Sequence, residues 1–259
     1  MSQKKPNSTI SIDSKDASVI LTVDKLGKVL NRSSRGALWR VCSNIVSNNS
    51  RKRKNDFEAL KEVSFTLKKG DSLGIIGANG AGKSTLLKLL AGAYLPSKGK
   101  IHWSCENRVY LERKLKLYND LPVILNLKTL GILHGIAPEL QQSFIDETLE
   151  FAELSSLAKT PLSKLSSGMK MRLILASYLW LDPDVILIDE ALEVGDAKFR
   201  DLIRNRMHSF FSKGGSAVIV SHQDKLIRRY CNKLLVLDQG RVLDIGKPDE
   251  ILARYNILR

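Results

Sequence analysis

The sequence of 259 residues has no long apolar run, few cysteines and no segment typical of a secretory leader. No stretch approaches the roughly 18 consecutive apolar residues that a membrane span needs, so we expect none. The cysteines Cys42, Cys105 and Cys231 lie far apart without metal-ligand spacing, which predicts ordinary thiols in a reducing compartment. The start, Met1-Ser-Gln-Lys-Lys-Pro6, is polar and lacks the apolar segment of a signal peptide. We therefore expect a cytoplasmic protein.

Acidic residues are also scarce, because 27 Asp and Glu oppose 41 Lys and Arg and leave a net charge of +14. Such an excess indicates a partner such as nucleic acid, anionic lipid or a phosphorylated substrate. Residues 1–56 hold twelve Lys and Arg against four Asp, a net of +8. We predict that residues 1–16 form a polar tail. The basic, Ser- and Asn-rich residues 31–55 predict either a solvated loop or a segment with a short amphipathic helix.

Hydrophobic patterning predicts an α/β fold. Short apolar, β-branched runs predict strands at 17–23, 59–69, 72–76, 184–188, 217–220 and 234–237. Helices are predicted at 84–90, at 115–158 with breaks at Pro122 and Pro138, and at 169–181. The pair Gln239-Gly240 predicts a closing hairpin. Strands that alternate with helices build a layered α/β core.

The strongest motif is a phosphate loop placed between a predicted strand and a predicted helix. Its glycines allow the backbone N–H groups to converge on phosphate oxygens, and the helix directs its positive N-terminus at the same anion. Lys83 is positioned to reach the β- and γ-phosphates, and the Ser84 hydroxyl to ligate Mg²⁺. A chance glycine-rich turn lacks this flanking context. The loop comprises Gly77, Ala78, Asn79, Gly80, Ala81, Gly82, Lys83, Ser84 and Thr85.

A second motif is the apolar run Val185-Ile-Leu-Ile-Asp-Glu190, which ends in two carboxylates. Carboxylates at the end of a buried strand are costly unless a cation or a polar partner is near. Asp189 is predicted to hold Mg²⁺, and Glu190 to polarise the attacking water. A plain strand-end turn is the alternative when this motif stands alone.

Two weaker motifs lie near the acidic strand in sequence. Lys164-Leu-Ser-Ser-Gly-Met169 places the small residues Ser166, Ser167 and Gly168 at a helix N-terminus suited to an anion. An ordinary helix cap also explains it. His222 follows the predicted strand at 217–220 and, alone, is more often structural. Beside the other motifs, the functional interpretation is favoured, with His222 sensing the γ-phosphate.

These four motifs, in this order, resemble the nucleotide-binding subunits of ABC transporters over about residues 17–250. The resemblance implies a P-loop NTPase fold with a RecA-like core, an antiparallel β subdomain and a helical subdomain at about 115–182. It implies ATP and Mg²⁺ as ligands, ATP hydrolysis and Asp196 as the D-loop aspartate. It also implies a homodimer in which Ser166, Ser167 and Gly168 complete the partner's ATP site.

Two details are similar to the ATPases of polysaccharide exporters. They are the signature Leu165-Ser-Ser-Gly-Met169 and the stretch Glu190-Ala-Leu-Glu-Val-Gly-Asp-Ala-Lys-Phe199. This resemblance implies export of a lipid-linked glycan (capsular polysaccharide, O-antigen or teichoic acid) through separate transmembrane permease subunits. It implies a peripheral position on the cytoplasmic face of the inner membrane and no nucleic-acid partner. A basic segment like residues 31–55 is also similar to that group, and its charge predicts contact with anionic lipid or with the phosphate of a lipid-linked substrate.

The chain also departs from the general ABC pattern. The adenine-stacking aromatic is absent after the first strand, where Lys25 or a neighbour stands, and Phe57 or Trp39 is the expected substitute. The glutamine of the Q-loop is absent, and Glu112 is the residue predicted to bind metal or water there. Two other functions stay open: a soluble ABC-type ATPase acting on nucleic acid or ribosomes, and an importer ATPase. The single cassette without sustained heptads disfavours the first, and the signature without glutamine disfavours the second.

Overall fold

The computed structural model describes residues 18–31, 56–111, 117–190 and 197–257. The predicted tail, most of the basic residues 31–55, Glu112 and Asp196 lie outside these ranges. The strands are β1 (Val19–Asn31), β2 (Asp56–Lys68), β3 (Ser72–Ile76), β4 (Lys98–Trp103), β5 (Arg108–Leu111), β6 (Val185–Asp189), β7 (Ser216–Val220), β8 (Lys233–Asp238) and β9 (Arg241–Gly246). The helices are α1 (Lys83–Leu90), α2 (Val123–Leu133), α3 (Gln141–Phe151), α4 (Ser167–Trp180), α5 (Ala197–Ser212), α6 (Asp224–Tyr230) and α7 (Pro248–Ile257).

A six-stranded sheet forms the centre of the fold, in the order β5-β6-β7-β3-β8-β9. Its strands are parallel except for β9, which runs antiparallel to β8 through the predicted hairpin. Strands β3 and β7 are buried at every position, as continuous apolar runs in a parallel sheet should be. Because parallel strands end at one edge, the residues after β3, β6 and β7 meet there. That edge carries three of the four predicted motifs.

The second sheet is antiparallel, in the order β2-β1-β4. Strand β1 continues to Asn31, beyond the predicted end at residue 23, because irregular pairing near Lys25 lets it bend and stay paired. Leu26 and Leu60 from this sheet pack with Leu73 of the central sheet and Leu87 of α1 in one apolar cluster. The opposite face of the central sheet packs against α4, α5, α6 and α7.

A third apolar cluster joins α2, α3 and the first part of α4, with Phe144 and Leu127 buried inside it. This is the helical subdomain. Residues 117–121 were predicted as helix and are not helical. The buried Asn126 side chain accepts a hydrogen bond from Tyr118 N at 2.7 Å and donates to Tyr118 O at 3.0 Å, which occupies backbone groups that a helix would use. Among the described helices, none combines the length and apolarity that crossing a bilayer requires.

Candidate functional site

The predicted phosphate loop is a tight turn between β3 and α1. A side chain at Gly77 would put its Cβ 2.1 Å from Leu237 O, and one at Gly82 would put it 2.6 Å from Ala59 O. Gly82 also has a φ of 106°, a conformation that residues with a side chain rarely adopt. Gly82 caps α1 without a side-chain hydrogen bond, so the first N–H groups of the helix can bind an anion.

Lys83, the first residue of α1, turns its side chain back into the loop. Its exposure is 7%, and Nζ donates to Gly77 O at 2.8 Å and to Ala78 O at 3.0 Å. Burial lowers the pKa of Lys83, and the carboxylates of Glu190 and Asp189 oppose that shift. The loop therefore holds a poorly hydrated cation at the position where the sequence predicted phosphate.

The acidic pair follows β6 and faces the loop. Asp189 is the last residue of β6 and is half-buried. Glu190 adopts a φ of 54°, an uncommon conformation for a residue with a side chain and one that recurs at functional sites. Its Oε1 lies 2.9 Å from His222 Nε2, so the imidazole can orient the carboxylate. Neither motif alone indicated this contact, which follows from β6 and β7 being neighbours.

These groups line one open cleft of about 500 Å³. Such a volume lies in the range of small-molecule sites. Two residues of the predicted loop, Gly77 and Ala78, contribute the backbone carbonyls that accept hydrogen bonds from Lys83. A third, Ala81, is buried. The lining consists of Phe57, Ala59, Asn79, Gly80, Gly82, Lys83, Ser84, Thr85, Lys88, Asp189, Glu190 and His222.

Of the two described residues weighed for adenine stacking, Phe57 and Lys25, Phe57 lines the cleft, where its exposure is 44%. Lys25 is not part of the lining; its backbone N–H donates to Ser64 Oγ within the antiparallel sheet. Trp39 lies outside the described residues. Lys88 was missed by the sequence analysis. Lys88 follows Ser84 by four residues, about one turn of α1, so the two side chains lie on the same face of the helix. This spacing is the sequence signal that could have identified Lys88.

The predicted signature residues lie apart from this cleft. Ser166 caps α4, and its Oγ accepts a hydrogen bond from Met169 N at 3.2 Å, so the helix starts two residues before the predicted Met169. Ser166 and Ser167 are exposed, and neither they nor Gly168 line the cleft. Within one chain, the signature and the phosphate loop therefore do not form a single site.

Comparisons with known proteins agree with this geometry. Residues 60–193 match the sequence profile of the ABC transporter family. The chain is 36% identical over 197 residues to the teichoic acids export ATP-binding protein of Bacillus cereus, which covers 76% of this chain and 36% of that protein. It is also 36% identical over 197 residues to the O-antigen export system ATP-binding protein of Myxococcus xanthus, covering 76% and 45%. The chain thus spans less than half the length of these two relatives.

Solved structures show the same fold. A dimeric ATP-binding cassette in a post-hydrolysis state, bound to ADP and Pi, superposes with a TM-score of 0.71 at 20% identity. The superposition covers 88% of this chain and 99% of that one. The fold class predicted from the sequence, an ABC-type P-loop NTPase, is confirmed. The family profile matches just over half of the residues, and the two relatives align with 76% of the chain at 36% identity. The chain therefore belongs to the ABC transporter family.

Proposed function

We propose that this chain is the ATP-binding and ATP-hydrolysing subunit of an ABC transporter that exports a lipid-linked polysaccharide. The ATPase part rests on one observation: a helix N-terminus, the buried cation of Lys83 and the Asp189–Glu190 pair converge on the cleft of about 500 Å³. We call this cleft the ATP cleft. Phosphate oxygens replace the Gly77 and Ala78 carbonyls as partners of Lys83 Nζ. The exchange is favourable because the ammonium of Lys83 then donates to an ionised acceptor in place of a neutral carbonyl oxygen.

The oxygen donors of the cleft fit Mg²⁺. The Ser84 hydroxyl and the Asp189 carboxylate both line it, and Mg²⁺ prefers one or two carboxylates completed by water and phosphate oxygens. Among the described residues, no group of three or more His, Cys, Asp and Glu side chains could hold a metal ion by itself. When bound, the ion neutralises charge on the β- and γ-phosphates. Glu112 remains a further predicted ligand.

Glu190 is proposed to polarise the attacking water. Its carboxylate accepts the water proton as the water oxygen bonds to the γ-phosphorus and the bond from that phosphorus to the β-phosphate oxygen breaks, so that ADP leaves. His222 holds Glu190 at 2.9 Å and reaches the same cleft. It is therefore placed to report the γ-phosphate to the catalytic carboxylate. Phe57, at the rim of the cleft, is proposed to stack on the adenine.

A homodimer is proposed because the signature is built for a ligand outside its own subunit. Gly168 has a negative φ, and a Cβ added there would meet only Ser166 Oγ, at 3.9 Å. Neither backbone strain nor packing against the described residues requires glycine at this position. A close-fitting group from another subunit supplies the reason, namely the nucleotide held by the partner's phosphate loop.

The helical subdomain is proposed to receive the separate membrane subunit. Along one side of α2, Leu125, Ile132 and Leu133 are 44%, 64% and 75% exposed. We call these three residues the α2 apolar face. Apolar side chains clustered on a polar surface mark interaction sites. Docking there would place the ATPase at the cytoplasmic face of the membrane, where the basic residues 31–55 would meet anionic lipid.

The proposed cargo rests on the relatives from Bacillus cereus and Myxococcus xanthus, which are named for teichoic acids export and O-antigen export. A cellular test is available. Lys83→Ala should leave cells with less surface glycan while the lipid-linked precursor accumulates on the cytoplasmic side, because phosphate binding is lost. Lys225→Ala, which removes an exposed lysine outside the cleft lining, is the matched control. Unchanged surface glycan together with failed uptake of a small nutrient would reject export in favour of import.

A further inference from the structure

A second cleft, of about 580 Å³, lies at the opposite end of β3 from the phosphate loop. Its walls are the last two turns of α5 and the end of α6, and its floor is the start of β3. We call it the basic cleft. Its lining residues are Gly70, Ser72, Arg204, His208, Phe211, Ser212, Arg229, Tyr230, Cys231 and Asn232.

The basic cleft gathers cationic and N–H-bearing side chains without a carboxylate in its lining. Arg204 and His208 are four residues apart and therefore project from the same side of α5, while Arg229 approaches from α6. Arg204 is partly neutralised by Asp201, at 2.8 Å. Within the described ranges, the side chains of His208 and Arg229 form no hydrogen bond or ion pair. Two donors from different helices thus face one cavity, without a protein partner among those residues.

An aromatic wall and a polar floor complete the basic cleft. The rings of Phe211 and Tyr230 lie with centroids 6.4 Å apart and planes tilted by 34°, so they present an apolar surface beside the two donors. On the floor, Asn232 Oδ1 accepts a hydrogen bond from Ser72 N at 3.0 Å, which fixes the start of β3. Ser72 itself is 3% exposed and closes the floor.

Other chemistries fit the basic cleft poorly. Burial raises the pKa of the Cys231 thiol to about 12, so it is neither a nucleophile nor a metal ligand near neutral pH. A cation would meet Arg204 and Arg229 without a carboxylate in the lining to compensate. A purely apolar ligand would bury the arginines without partners, which costs free energy.

We propose that the basic cleft binds a small phosphate monoester whose organic part carries a planar ring. The phosphate accepts hydrogen bonds from Arg229 and His208, and an arginine fork matches two phosphate oxygens at once. The ring packs on the wall of Phe211 and Tyr230. This site is separate from the ATP cleft, because β3 spans five residues between Ser72 on its floor and the loop that begins at Gly77.

The test uses the full chain with Mg²⁺ and excess ADP, so that the ATP cleft is filled, and phenyl phosphate as the probe. Saturable binding is measured by calorimetry. We expect inorganic phosphate to bind at least about fivefold more weakly, since it lacks the ring. The double variant Arg229→Gln/His208→Asn should weaken phenyl phosphate binding about tenfold or more, since two donors to a charged group are lost. Both side chains are exposed, so the fold should be unaffected, and an unchanged melting temperature checks this.

The control variant is Lys225→Gln, which removes the same charge one turn earlier on α6, at a residue outside the lining. It should bind phenyl phosphate as the parent chain does. Three outcomes would overturn the proposal: no saturable binding of phenyl phosphate, equal affinity for inorganic phosphate, or an equal loss of binding in the double variant and in Lys225→Gln. Because ADP binding is measured separately in each sample, failure of the proposed ATPase function is distinguishable from failure of this site.

Discussion

Charged side chains usually lie on the surface of a protein and apolar side chains in its interior. The ATP cleft and the helical subdomain depart from this rule in opposite ways. In the cleft, a cation is buried: Lys83 is 7% exposed, and burial lowers its pKa. In the helical subdomain, apolar side chains are exposed: Ile132 and Leu133 are 64% and 75% exposed. Both arrangements cost free energy in the isolated subunit. The first indicates chemistry performed inside this chain, and the second indicates a surface that another molecule completes.

The sharpest test of the cleft is Glu190→Gln. Loss of a catalytic base typically lowers the rate about 10²–10⁴-fold, whereas the phosphate contacts of Lys83 remain. We expect ATP binding near the parental affinity with hydrolysis almost abolished. Steady-state phosphate release and equilibrium nucleotide binding, measured on the same samples, check this. Parental turnover would remove Glu190 from its proposed role.

The signature should behave as a surface for a partner subunit. Gly168→Leu has open space around it within one chain, so the monomer should keep its stability. Filling a close-fitting dimer interface costs about 1–3 kcal/mol, and ATP-dependent dimerisation in the Glu190→Gln background should weaken accordingly. Sedimentation with and without ATP measures it. Gly168→Ser is the milder control. Equal dimerisation by Glu190→Gln alone, by Glu190→Gln/Gly168→Leu and by Glu190→Gln/Gly168→Ser would argue against a shared site.

The interior of the helical subdomain should respond to loss of Asn126. Its side chain, 1% exposed, also donates to Leu121 O and Pro122 O, both at 3.2 Å. Asn126→Ala removes all of these hydrogen bonds, including the acceptor of Tyr118 N, from a buried position, so the free energy of unfolding should fall by about 1–3 kcal/mol. Denaturant titration measures it. Gln142→Ala, which removes an exposed hydrogen bond to Asp146 in the same subdomain, should change stability far less.

The smallest stability effect is expected on the α2 apolar face. Leu125→Ser/Ile132→Ser alters exposed side chains, so unfolding free energy should change by no more than about 0.5 kcal/mol per site. Hydrolysis by the isolated subunit should also be preserved, while co-purification with the membrane subunit should fall. The pair Glu139→Ser/Lys128→Ser, exposed and charged in the same subdomain, is the control. If the Leu125→Ser/Ile132→Ser variant co-purifies normally, the proposed membrane subunit docks on another surface.

Local sequence was sufficient to predict the elements whose conformation depends on residues close to them in the chain. The strand before the phosphate loop, the loop and the start of α1 lie within 19 residues and were predicted within one residue of their observed bounds. The hairpin at Gln239-Gly240 was confirmed for the same reason. By contrast, β4, β5 and helices α5, α6 and α7 were not predicted. Strand β4 is mostly exposed and carries Lys, Gly and His, so no apolar alternation marks it.

The sequence determined the chemistry that this chain offers: a glycine-rich phosphate loop with its lysine, two carboxylates after an apolar strand, and a histidine after another. These motifs depend on residue type and short spacing, which the chain order specifies. Only the tertiary structure decided which of them meet. It paired Glu190 with His222 across neighbouring strands, brought Phe57 to the ATP cleft and left the signature outside it. It also joined Arg204, His208 and Arg229 in the basic cleft, because strand order and helix packing set distances between residues that are remote in sequence.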